Sequence, residues 1–137
     1  MQNIIAIPAR YESTRLANKP MQVLGGQPLI LRTLKQAKKS RCADQVFVVC
    51  DDQRIIDAVK PHHEQVIKSH GDFESGTDRI AAALLPLNAK RVVNLQVDEP
   101  FIVPKEIDAL FQALEDSDVD IATLRAPLEQ ADELNNP

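Results

Sequence analysis

Short solid apolar runs and stretches of helical spacing take turns along this chain. The first run, Ile4 to Ile7, is long enough for one strand and stops at Pro8. An irregular loop follows; Gly25-Gly26 then marks a turn, and Pro28 suits a first helical residue. Ile30, Leu31, Leu34 and Ala37 keep helical spacing, ending near the basic Lys38-Lys39. Val46-Phe47-Val48-Val49 is rich in β-branched residues and reads as a second buried strand. Asp51 or Asp52 can cap the next helix, whose apolar face is Ile55, Ile56 and Val59 and which Pro61 closes. Gln65-Val66-Ile67 is a short third strand, and the loop from His70 to Gly76 leads into a helix marked by Ile80, Ala83, Leu84 and Leu87. Arg91 to Leu95 forms a fourth strand. Pro104 opens a helix with Ile107, Leu110, Phe111 and Leu114 at i, i+3, i+4 and i+7. Asp120 to Leu124 is a fifth strand, and the tail from Leu128 to Pro137 is polar. Strands that alternate with single helices make parallel βαβ units. The expected fold class is therefore α/β, a doubly wound, mostly parallel, Rossmann-like sheet.

Composition adds limits to this picture. At 137 residues the chain is a single domain, residues 1–137, large enough for a real core, and it carries no repeat, low-complexity run or internal linker. The net charge of −4 argues against a general nucleic-acid binder, which is expected to be basic. Cys42 and Cys50 are too few for a disulfide framework, so a reducing compartment is expected. No signal peptide precedes Asn3 and no apolar run approaches ~18 residues, which makes the expected location cytoplasmic, with no membrane contact.

Positive charge is instead local. Arg10, Arg15 and Lys19 fall in the loop after the first strand, where 16 Lys+Arg in 137 residues predict roughly one cation per ten. Ser13 and Thr14 add hydroxyl donors. A loop leaving the carboxyl end of a buried parallel strand opens onto the crevice where such sheets bind ligands. Guanidinium, ammonium, hydroxyl and backbone N–H groups are all donors, which suits phosphate oxygens. Neither G-x-G-x-x-G nor a P-loop is present, so side-chain cations and loop amides would have to hold the phosphates. Asp98 and Glu99 lie just past the fourth strand, on the same sheet edge as Arg10. Carboxylates close to phosphates repel them unless a divalent cation, usually Mg²⁺, sits between. In Ser75-Gly76-Thr77-Asp78-Arg79, Ser75 or Thr77 can be an N-cap, Gly76 the turn residue and Asp78 a first-turn acid. His62, His63 and His70 complete no tetrahedral ligand set, and neither cysteine has a nucleophile's context.

Ile7-Pro8-Ala9-Arg10-Tyr11-Glu12-Ser13-Thr14-Arg15-Leu16-Ala17-Asn18-Lys19-Pro20 resembles the signature loop of the CMP-Kdo synthetases, the 3-deoxy-manno-octulosonate cytidylyltransferases. The likeness continues through Ser75 to Arg79, Asn94-Leu95-Gln96-Val97-Asp98-Glu99-Pro100 and the closing Asn136-Pro137. It implies a nucleotidyltransferase of lipopolysaccharide precursor synthesis, moving CMP from CTP to the anomeric hydroxyl of Kdo and releasing pyrophosphate. By resemblance, the nucleotide is held by Pro8, Ala9, Arg10, Ser13, Arg15 and Lys19, with Gln96 beyond the fourth strand. Ser75, Gly76 and Arg79 stand on the base side, Asp98 is a Mg²⁺ ligand, and Arg10, Lys19 and Asp98 carry the catalysis. The resemblance also implies a homodimeric full-length enzyme. Three rival readings are a CMP-sialic acid synthetase, a non-catalytic nucleotide-binding module and a purely structural subunit.

The chain departs from the family pattern in three ways. Asn18 replaces a common glycine, and asparagine tolerates left-handed geometry. Val97 replaces another glycine; a β-branched residue is a poor tenant of φ > 0, and its bulk is expected to crowd the bound nucleotide. Family members also run on for about as many residues again. The expectation is that this chain is the nucleotide half, without the sugar pocket and a second metal-binding aspartate, and by itself inactive or weakly active.

Overall fold

The structure, a computed structural model, describes residues 3–12 and 18–116. In chain order the strands and helices are β1 (Asn3–Ala9), β2 (Val23–Leu24), β3 (Gln27–Pro28), α1 (Leu29–Ala37), β4 (Gln45–Cys50), α2 (Gln53–Val59), β5 (Val66–Lys68), α3 (Gly76–Leu84), β6 (Arg91–Asn94) and α4 (Pro104–Ala113). Short 3-10 turns occupy Lys19–Met21 and Leu85–Leu87. The expected fifth strand and polar tail lie outside the described residues, as do Ser13 and Arg15.

Among the described residues the main sheet has the order β5-β4-β1-β6, with every neighbouring pair parallel. β1 is central because its run is apolar on both sides. Ile5, Ile7 and Ala9 pack into one cluster with Ile30 and Leu34 of α1, Ile55 and Val59 of α2, and Ile107 and Phe111 of α4. Ile4 and Ala6 face the opposite way, onto Ile80 and Leu84 of α3. Helices therefore cover both faces, as a fully buried parallel strand requires. From β1 the chain winds outward to β4 and β5, then crosses back to place β6 on the other side of β1. The carboxyl ends of β1 and β6 thus flank the topological switch point, where loops diverge and leave a crevice.

Local chemistry explains most boundaries. Asp52, rather than Asp51, caps α2, accepting from the Arg54 amide at 2.8 Å. Ser75, rather than Thr77, caps α3, accepting from the Asp78 amide at 3.2 Å. Pro28 is not the first helical residue: with φ −56° and ψ 143° it stays extended, pairs with Val23 and serves as the N-cap of α1. The reason is the hairpin of β2 and β3, whose turn uses Gly25 and Gly26 at φ 60° and 86°, the left-handed pair that two-residue hairpins demand. The third strand lies one residue later than expected, at Val66–Lys68. No helix among the described residues is long and apolar enough to cross a membrane.

Candidate functional site

The backbone after β1 is tied down at both ends of the cation-bearing loop. The Tyr11 amide donates to Asp51 Oδ1 at 3.0 Å, and the Asn18 amide donates to the Tyr11 carbonyl at 2.7 Å. Asn18 takes the left-handed conformation expected of it, φ 61° and ψ 25°. The chain then enters the 3-10 turn, where Pro20 is buried and the Met21 amide returns to the Asn18 carbonyl at 2.8 Å. Lys19 is therefore anchored by its backbone while its side chain stays free to reach across the crevice.

On the other wall, β6 runs into a tight loop that α1 secures. Thr33 Oγ1 donates to the Val97 carbonyl at 2.6 Å, and Gln36 Nε2 donates to the Ile102 carbonyl at 2.9 Å. Within the loop the Glu99 amide reaches the Gln96 carbonyl and the Ile102 amide reaches the Glu99 carbonyl, both at 3.3 Å. The outcome is that Asp98 faces Lys19, with Nζ to Oδ2 at 2.8 Å across 79 residues of sequence. Both side chains are close to half exposed, at 41% and 51%, so the pair is worth at most about 1 kcal/mol to the fold. Its interest is chemical: a solvated cation and a solvated carboxylate are held together, and each can change partner cheaply.

A cleft of about 150 Å³ surrounds this pair. Pro8, Ala9, Arg10 and Lys19 line one side; Gly76, Arg79, Gln96 and Asp98 line the rest, with Pro20 and Val97. Eight of the residues singled out from sequence thus meet in one place. Ser75 stands beside Gly76 but does not line the cleft; its hydroxyl accepts the Asp78 amide and donates to Asp78 Oδ2 at 2.9 Å. Larger hollows lie elsewhere. One of about 420 Å³, walled by Ile80, Leu84, Leu85 and Val92, has no titratable side chain in its lining.

Two expectations need correction here. Gly76 is the first residue of α3, not a turn residue, and glycine suits the position because a Cβ would sit 3.0 Å from Pro8 Cγ, a tight contact. Its absent side chain lets the start of α3 press against the end of β1. Val97 does not take a positive φ, and its side chain lies in the core with Val93, Leu95 and Ile107, 6% exposed. Valine is at home there because the backbone is ordinary and most of the side chain is in the core, although the residue also borders the cleft.

Arg79 is the most unusual lining residue. It is only 3% exposed, donates from Nη1 to Ser69 Oγ, and its guanidinium carbon lies 5.0 Å from the centroid of the Phe73 ring. Its Nε is buried and has no hydrogen-bond partner among the described residues, a donor beside the cleft. Gln96 Nε2 donates to Asn94 Oδ1 at 2.7 Å, and Asn94 Nδ2 to Thr77 Oγ1 at 2.9 Å. That relay links the end of β6 to the first turn of α3.

Sequence reasoning missed Thr33 altogether, and it missed the partners of Asn94 and Asp51, which it had named only within the family-like block and as a candidate cap. Thr33 was open to detection: with Ile30, Leu34 and Ala37 it completes the i, i+3, i+4, i+7 stripe, a hydroxyl in an otherwise buried row. Asn94 and Asp51 carry no comparable signal, because their partners are distant in sequence.

Glu99 has its carboxyl lifted above the usual range by burial first, then by the charges of Asp98 and Glu106. Among the described residues no group of three or more His, Cys, Asp or Glu could hold a metal ion. A cation here would rest on the Asp98 carboxylate, with water and ligand oxygens completing its shell. That donor set fits Mg²⁺, which usually takes one or two carboxylates plus phosphate oxygens and keeps several waters. The histidines stand apart: His62 and His70 are exposed, and His63 Nε2 lies 2.7 Å from the Val46 carbonyl. Cys50 is fully buried, its thiol pushed up to about 11 chiefly by burial, so it is no nucleophile at neutral pH.

Comparison with known proteins agrees with this fold. The family model for cytidylyltransferases matches residues 4–137. The 3-deoxy-manno-octulosonate cytidylyltransferase of Flavobacterium johnsoniae is 41% identical over 140 residues, covering 100% of this chain and 57% of that protein. The enzyme of the same name from Pseudomonas fluorescens is 44% identical over 137 residues, covering 97% and 54%. The chain therefore spans about half the length of the curated relatives it matches. A solved CMP:2-keto-3-deoxy-manno-octonic acid synthetase in complex with CTP superposes with a TM-score of 0.81 at 36% identity, over 86% of this chain and 49% of that one. A cytidylyltransferase structure from Leptospira borgpetersenii gives a TM-score of 0.74 at 25% identity, over 85% and 50%. Matched by the family model along almost its whole length, the chain belongs to the cytidylyltransferase family.

Proposed function

We propose that this chain binds CTP as the nucleotide-binding portion of a 3-deoxy-manno-octulosonate cytidylyltransferase. The reaction is attack of the anomeric hydroxyl oxygen of the sugar acid on the α-phosphorus of CTP. The new P–O bond gives CMP-Kdo, the bond from the α-phosphorus to the oxygen it shares with the β-phosphate breaks, pyrophosphate leaves with that oxygen, and the hydroxyl proton passes to solvent. The observation that carries the reading is the Lys19–Asp98 pair at 2.8 Å in the cleft at the β1/β6 switch point. A cation and an acid that already face each other are what a metal–triphosphate needs: the ammonium exchanges its carboxylate for phosphate oxygens, and the carboxylate is released to a metal.

Each residue then has a part. Arg10 and Lys19 hold the outer phosphates and stabilise the charge that develops on the leaving pyrophosphate. Arg15 and Ser13 belong to the same loop and join them as phosphate ligands. Pro8, Ala9 and Gly76 offer close backbone approach, while Arg79 and Gln96 face the nucleoside; the Arg79 Nε is a donor for a base or sugar oxygen. Asp98 would hold Mg²⁺, which when bound screens the charge of the triphosphate. The names and the CTP complex of the relatives support CTP and Kdo as the substrates.

Ligand-induced stabilisation tests the nucleotide preference, since binding to the native state raises the melting midpoint by mass action. With Mg²⁺ present, CTP is expected to raise the midpoint more than ATP, GTP or UTP at equal concentration. Equal shifts with all four nucleotides would contradict the base assignment.

A further inference from the structure

Two of the three cations that line the cleft, Arg10 and Lys19, flank a loop whose ends are joined. Arg10 directly precedes Tyr11 and Lys19 directly follows Asn18, and the Asn18 amide bonds to the Tyr11 carbonyl at 2.7 Å. Whatever fixes Tyr11 therefore fixes both cations. Two residues beyond β4 do so. Asp51 Oδ1 accepts the Tyr11 amide at 3.0 Å, and Arg54 lies over the Tyr11 ring with its guanidinium carbon 3.3 Å from the centroid. Arg54 is itself oriented, because its Nε and Nη2 grip the two oxygens of Asp52 at 2.8 and 2.7 Å. Asp52 is in turn the cap of α2, so the clamp is seated on a helix end.

These contacts are more than the fold needs. β1 and β4 are already joined along their length, with Ile4 to Ala9 in register with Gln45 to Cys50. Asp51 and Arg54 act one step beyond the end of that ladder, where β1 gives way to the cleft. We infer that Asp51 and Arg54 are positioning residues, which clamp Tyr11 so that Arg10 and Lys19 are presented together to the nucleotide phosphates. This rests on the nucleotide reading above. Neither residue lines the cleft, so neither touches the nucleotide; both act through the loop ends.

Each arm of the clamp can be removed separately. Asp51→Ala deletes the acceptor for the Tyr11 amide, whereas Asp51→Asn keeps an oxygen in place. Arg54→Ala removes the stacked guanidinium from a side chain that is 58% exposed, so the fold tolerates the loss. The readout is the ratio of CTP·Mg²⁺ to CMP affinity by titration calorimetry, with amide hydrogen exchange at Tyr11 and Asn18 in ligand-free protein. Asp51→Ala and Arg54→Ala are each expected to weaken CTP·Mg²⁺ by roughly tenfold, about the weight of one lost contact. CMP affinity should stay within about twofold, and Asp51→Asn should restore the native ratio. Exchange at Tyr11 and Asn18 should quicken in Asp51→Ala and return to normal in Asp51→Asn. Unprotected amides in the native protein would overturn the clamp. So would faster exchange with an unchanged CTP to CMP ratio, or equal losses for both nucleotides. A native chain that binds no CTP but shows protected Tyr11 and Asn18 amides would overturn the nucleotide reading, and with it the presenting role, while leaving the contacts themselves standing.

Discussion

Val97 shows how one residue can serve the site from behind. Its carbonyl is held by Thr33 while its side chain fills core space, and Asp98 follows directly into the cleft. A glycine in this position would lose the burial of the isopropyl group and add backbone freedom to the unfolded chain. Val97→Gly is accordingly expected to destabilise the protein by about 2–3 kcal/mol, the sum of a buried valine side chain and a glycine penalty. Urea unfolding measures it. CTP affinity should not improve; tighter binding with unchanged stability would restore the view that the valine crowds the nucleotide. The expectation of a positive φ came from the glycine that the resembled family has here, and the sequence alone does not show that this backbone keeps φ negative.

At the scale of elements, helix α4 secures the loop between α1 and β4 through one carboxylate. Asp108 accepts from Ser40 Oγ at 2.5 Å and from the Arg41 and Cys42 amides at 3.1 Å. Burial works to raise this carboxyl, but the bonds from Ser40, Cys42 and Arg41 outweigh it and hold the group below its ordinary value. The folded state therefore binds the Asp108 proton less readily than the unfolded chain does. Its contribution to stability is full above the unfolded value, about 3.9, and is lost as pH falls through the lower folded value. Asp108→Asn should cost stability at pH 7, and the gap between variant and native protein should narrow below about pH 4. Denaturant midpoints measured from pH 7 to pH 2.5 check this; a gap independent of pH would show that the carboxylate charge is not what ties the loop. Asp52, held at about 2 chiefly by its side-chain bond from Arg54, titrates in the same acid range. This link was invisible in the sequence, because Asp108 reads as one more exposed polar position on an amphipathic helix and its partners lie 66 to 68 residues away. The helices themselves were legible from their spacing, and each of two caps to within a pair, Asp51 or Asp52 and Ser75 or Thr77, which the structure resolves as Asp52 and Ser75. The hairpin strands were not, since two residues on either side of Gly25-Gly26 are too few to show a period.

For the molecule as a whole, the order β5-β4-β1-β6 matters most, because it brings the ends of β1 and β6 side by side. The alternation of strands and helices foretold a doubly wound sheet, and the cation-rich loop and the Asp98 block were each visible as chemistry. That Lys19 and Asp98 meet at 2.8 Å is a property of the topology and of Thr33 and Gln36 holding the far loop. No pattern within either segment contains it.

The central claim is that Lys19 and Asp98 form one metal–triphosphate site. Titration calorimetry of the native chain, Lys19→Ala, Asp98→Ala and the double variant, each with CTP·Mg²⁺ and with cytidine, tests it most directly. Loss of a charge-assisted contact in a partly desolvated site costs roughly 2–4 kcal/mol, so Lys19→Ala should weaken CTP·Mg²⁺ by about 30-fold or more. Asp98→Ala should weaken it only when Mg²⁺ is present, and cytidine should bind all four proteins alike. Unchanged CTP·Mg²⁺ affinity in Lys19→Ala, or a parallel loss of cytidine binding, would contradict the site.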